Sequence, residues 1–200
     1  MPLLRRVGAA TLLCTAGVLA HPVPAFSQTA ITAPGAGGQP LRDGHDGQHD
    51  FDFNIGVWRT HIHRVLDPLA GGRHSIEMTG VVTIRKVWGG RASLEEIEAD
   101  GPKGHWEALS LFLYNPQTGQ WSRSFVNARD PVLSGAFVGS FKNGRGQLFL
   151  PDTIDGRAVL VRGVFADIKP DSHTYTESYS DDGGATWRMA LIAHLTREPQ

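Results

Sequence analysis

Cysteine is nearly missing: Cys14 stands alone among 200 residues. It lies in an N-terminal stretch with the marks of a cleaved leader. The folded part is therefore expected to form no disulfide and to offer no thiol nucleophile or thiolate metal ligand. An excess of basic charge is missing too. The formal net charge is −1, which leaves no footprint for nucleic acid. No apolar run reaches the ~20 residues that a membrane-spanning helix needs; the run from Val7 to Ala20 stops at about 14. Nucleophile and phosphate motifs are absent as well: no Gly-x-Ser-x-Gly, His-Glu-x-x-His, Gly-Lys-Ser/Thr loop or dinucleotide fingerprint occurs. Nor does a helical period appear anywhere after residue 50. No catalytic residue can be named from linear pattern.

What is present begins with an export signal over residues 1–27. Arg5 and Arg6 form a charged start, Val7 to Ala20 an apolar stretch, and Ala25-Phe26-Ser27 a small-residue cleavage site. The arginine pair also raises twin-arginine export, but its flanks fit that motif poorly and the general secretory route is preferred. The expected location is periplasmic or secreted. Residues 28–48 are rich in Gly, Ala, Pro and Thr without an apolar period and read as a flexible spacer. The folded domain is expected over residues 49–198.

From Phe51 the hydrophobic period becomes two. Trp58, Thr60 and Ile62 alternate with Arg59, His61 and His63, and Ile76 to Ile84 alternate with Glu77 to Arg85. Further strand patterns follow at Ala92–Ala99, Trp106–Tyr114, Trp121–Ala128, Gly135–Phe141, Gly146–Leu150, Ala158–Asp167, Thr174–Ser180 and Trp187–Thr196. Tight turns such as Asn115-Pro-Gln-Thr-Gly119 and Lys142-Asn-Gly144 separate them. About ten short strands in sequence predict an all-β, up-and-down antiparallel barrel, a closed form that removes the sheet edges. A two-sheet sandwich is the alternative.

Phe51-Asp-Phe53 with Gly56-x-Trp58 resembles the opening of a family of uncharacterised bacterial proteins that begin FDFW-x-G-x-W. Val87-Trp-Gly-Gly90, Tyr114-Asn-Pro-x-Thr-Gly-x-Trp121, Asn127-x-Arg129-Asp130 and Ser180 to Trp187 extend the likeness across residues 49 to 197. Asn54 stands where the family usually has an aromatic residue. That family is similar to the calycins, barrels of the lipocalin and nitrobindin kind. The resemblance implies a calycin-like barrel that takes a small apolar molecule, and it carries no established activity. Haem-binding barrels of this kind use one histidine late in the chain, which makes His194 a haem-ligand candidate.

The candidate ligand-binding residues are Trp58, Trp88, Trp121, Asn127, Arg129, Arg162, Tyr175 and Glu177. Arg162 is flanked by Val159, Val161, Val164 and Phe165; if it points inward its guanidinium needs a partner charge, for which Glu177, between Tyr175 and Tyr179, is a candidate, while outward-facing ladder residues in cross-strand pairs are the simpler reading. Arg162 or Arg129 is expected to anchor the polar end of a ligand. Arg123 and Glu96 are further polar residues within strands. His61 and His63 stand on one face of a strand, ~7 Å apart by strand rise, and are weak metal candidates; solvated strand residues are the simpler reading. Ser180-x-Asp182-x-Gly184-x-Thr186-Trp187 matches an Asp-box, which is read as a structural hairpin because a propeller would repeat it. The functional expectation is non-covalent binding of a small, largely apolar molecule, with no cofactor predicted and haem a minor alternative. A small barrel hydrolase, isomerase or lyase using Glu177, Arg162 or the histidines, and an interaction module with a filled barrel, are the other readings.

Overall fold

The computed structural model describes residues 46–199. The expected signal and the spacer as far as residue 45 lie outside them. Ten strands follow one another: β1 (Gly56–Leu66), β2 (His74–Val87), β3 (Ala92–Gly101), β4 (Gly104–Asn115) and β5 (Gln120–Asn127). The second half comprises β6 (Phe137–Lys142), β7 (Arg145–Ile154), β8 (Arg157–Ala166), β9 (Ser172–Ser180) and β10 (Arg188–Arg197). Each pairs antiparallel with the next, and β1 closes on β10. The up-and-down barrel expected from the period-two pattern is the observed fold.

Alternation along the strands sets the inside. Trp58, Thr60 and Ile62 are buried while Val57, Arg59 and His61 are exposed. Two glycines let strands pass closely. A Cβ on Gly80 would collide with the backbone of Glu98 on β3, and one on Gly139 with Gln147 on β7.

Residues 46–55 shut the end where β1 begins and β10 ends. Phe51 packs 4.8–5.1 Å from the rings of Phe112, Trp121, Phe141 and Phe165. Aromatic rings in tilted and edge-on contact fill such a plug at high density. Trp58 donates its indole N–H to Asn54 at 2.8 Å, and Trp121 donates to the carbonyl of Gly47 at 2.8 Å. Gly47, which composition assigns to the spacer, is buried in this plug. Arg197 straps the segment down: its guanidinium lies 4.0 Å over Trp58 and donates to the carbonyls of Ile55 and Phe53. With that end closed, space inside the barrel is left toward the other end.

Candidate functional site

A cavity of about 240 Å³ occupies the barrel interior. Ile62, Val82, Ile97, Trp106, Phe125 and Phe137 supply much of its apolar wall. The exposed Arg64 and Asp152 are among its lining residues, so it reaches solvent at the end opposite the plug.

A polar network crosses this apolar wall. Arg123 on β5 is buried, donating from Nε to Ser110 Oγ at 3.2 Å and from Nη1 to the Tyr175 hydroxyl at 2.9 Å. Tyr175 donates to Glu177 Oε2 at 3.1 Å, and Tyr179 donates to Glu177 Oε1 at 3.0 Å. Glu95 on β3 lies 3.8 Å from Arg123 Nη2. The rings of Phe112, Phe125, Phe137 and Tyr175 stand 5.0–5.8 Å from the guanidinium carbon. Burial works against the Arg123 charge, but Tyr175, Glu95 and Glu177 outweigh it and hold the group charged. Burial also pushes the hydroxyls of Tyr175 and Tyr179 up, with Glu177 adding to the shift, so both stay protonated donors.

His173 lies deeper, toward the plug, and is only 2% exposed. Its ring meets Phe53 and Trp58 edge-on, with centroids 5.1 and 4.5 Å away, and neither nitrogen has a hydrogen-bond partner among the described residues. Burial, and then the positive charge of Arg197, lower its pKa to about 4. The imidazole is neutral at ordinary pH.

Of the residues singled out from sequence, Tyr175 and Glu177 line the cavity. Arg162 does not. It stands between Val161 and Gly163 on the outer face of β8, with its guanidinium 4.1 Å over Trp187. Its partner by register is Ser178, whereas Glu177 pairs with Gly163, so the expected Arg162–Glu177 ion pair is replaced by Arg123 acting through Tyr175. Arg129 is exposed and ties two loops together, donating to the carbonyls of Lys103 and His105. Asn127 caps the same turn by accepting from the amides of Arg129 and Asp130. Trp58 and Trp121 belong to the plug, not to the cavity wall. Trp88, at φ +53 in the turn after β2, is carried outward and is 68% exposed.

The histidines of β1 face solvent, and both contact Glu77, with His61 Nε2 at 3.0 Å from Oε2. His194 is exposed on the outer face of β10, opposite His61, and cannot reach a group held in the cavity. The Asp-box is a hairpin clasp: Asp182 accepts from the amide and hydroxyl of Thr186, while Ser180 Oγ accepts from the Gly184 amide.

Arg123, Glu95, His173 and Trp106 are the interior residues that sequence reasoning passed over or ranked low. The signal was strict parity. Trp121, Arg123 and Phe125 share one face; Glu95, Ile97 and Ala99 another; His173, Tyr175, Glu177 and Tyr179 a third. The neighbouring Glu96 is exposed, one residue out of phase.

No family model matches the chain, and no curated protein matches it. Among solved structures it is similar to the S-type phycobiliprotein lyase CPES from Guillardia theta. The TM-score is 0.53 and the identity 12%, over 78% of this chain and 95% of that one. A redesigned β-barrel, mFAP0, bound to DFHBI, aligns with a TM-score of 0.41 and 9% identity, covering 72% of this chain and 99% of the design. At these identities the likeness is one of fold: a ten-stranded antiparallel β-barrel.

Proposed function

We propose that the barrel binds a small, largely apolar molecule in its cavity, with Arg123 in the anchoring part that the sequence assigns to Arg162 or Arg129. The cavity itself carries this reading. Its volume, about 240 Å³, stands just below the ~300–1,000 Å³ usual for ligand pockets and suits a one- or two-ring molecule better than a tetrapyrrole. A filled interaction barrel would keep no such space. A charged, hydrogen-bonded network on an apolar wall is also costly to bury for stability alone, and it is the kind of feature that orients a ligand.

The reading includes export, with cleavage after Ser27, and membership of the uncharacterised calycin-like family that Phe51-Asp-Phe53 and Gly56-x-Trp58 resemble. One experiment addresses export and binding together: native mass spectrometry of the protein isolated from the cell envelope or medium of its host, followed by titration with aromatic compounds, retinoids and fatty acids. The expected result is a mass beginning at Gln28 with a small adduct, and micromolar binding of at least one compound. A ligand-free mass with no binding across the panel would overturn the reading.

A further inference from the structure

Within the cavity two opposite charges lie side by side without completing each other. Arg123 and Glu95 come from strands on either side of β4 and are 6% and 7% exposed. Their separation, 3.8 Å from Nη2 to Oε1, makes an ion pair and not a hydrogen bond. Arg123 uses Nε on Ser110 and Nη1 on Tyr175. Among the described residues Nη2 has no acceptor and the Glu95 carboxylate has no donor. Both residues line the cavity. Buried charged groups in folded proteins almost always have hydrogen-bond partners. Here one free donor and one free acceptor stand next to each other on an apolar wall.

Electrostatics selects what completes them. A carboxylate would be drawn to Arg123 and repelled by Glu95 and by Glu177, whose own oxygens are taken up by the hydroxyls of Tyr175 and Tyr179; an ammonium drawn to Glu95 would be repelled by the Arg123 guanidinium beside it. A neutral group that both accepts and donates at adjacent atoms satisfies both residues and leaves the ion pair intact.

Resting on the cavity-binding reading, we infer that the ligand is a neutral molecule with an amide-type edge, a lactam or a primary carboxamide. Its carbonyl accepts from Nη2 of Arg123, its N–H donates to Glu95, and its apolar body lies against Trp106 and Phe125.

The test is isothermal titration of the mature protein with 2-quinolone, 3-methyl-2-quinolone, N-methyl-2-quinolone, 2-naphthoate and naphthalene. The first two, which keep the N–H, are expected to bind at least tenfold more tightly than the other three. Glu95→Met, which keeps the length of the side chain and removes the acceptor, is expected to abolish that preference without changing the affinity for naphthalene. If this variant does not fold, the ratio of the 3-methyl to the N-methyl compound on the native protein decides alone. Equal affinity for all five would mean apolar contact only, with water joining Arg123 to Glu95; the inference would fall and the cavity-binding reading would stand. A preference for 2-naphthoate would overturn the neutral edge in favour of an anion. No binding by any of the five would overturn the amide-edge inference, and the cavity-binding reading would fall with it only if the retinoids and fatty acids also failed to bind.

Discussion

His173 shows how one side chain couples this barrel to pH. In the unfolded chain an imidazole titrates near 6.5, while in the fold burial and Arg197 hold it at about 4. Between those values the unfolded state binds the extra proton. Stability is therefore full above pH ~6.5 and falls as the pH drops toward 4, by about 3 kcal/mol across the window. His173→Phe keeps a ring against Phe53 and Trp58 and removes the proton site. Urea denaturation at pH 7.5 and 4.5 is expected to show the native protein losing about 2 kcal/mol more than the variant; carboxylates common to both cancel in the comparison. Equal losses would mean that His173 is not the titrating group.

At the scale of the strand, period two makes the inside and the outside, and close passage makes the curvature. Gly80 meets the backbone of Glu98 where β2 crosses β3. Gly80→Ala is expected to cost at least about 3 kcal/mol, since neither strand can withdraw without opening the ladder. Gly144, at φ +73 in the β6–β7 turn with open space around it, is the control. There Ala bears only the left-handed backbone penalty of about 1–2 kcal/mol. Thermal or urea unfolding separates the two, and similar losses would refute the steric account. The ten strands and their turns were legible from alternation and turn residues alone. Arg162 was misplaced because a valine-rich flank on both sides hid its phase; Trp187, stacked beneath it from the next hairpin, supplies the outer cover.

At the scale of the molecule, closing one end with Phe51 and Trp58 leaves the other free to hold a cavity, and that space is not optimal for stability. Ala193 on β10 borders it. Ala193→Leu is expected to fill part of the void, to raise stability by about 1 kcal/mol, and to weaken any cavity ligand at least tenfold. Urea denaturation and titration of one preparation read both effects. A rise in stability with affinity unchanged would place the binding site elsewhere.

By itself the sequence determined the element count, the all-β class and the period-two alternation along the strands. These are local properties: periodicity, turn chemistry and residue type act over a few neighbours. Which inward residues meet was decided by tertiary structure. Arg123 finds Glu95 from the far side of β4, through the registers of β3, β4 and β5, and finds Tyr175 across 52 positions of chain; the second pairing depends on the stagger with which the whole sheet closes. Stagger is a property of the whole closed sheet, and no stretch of sequence states it.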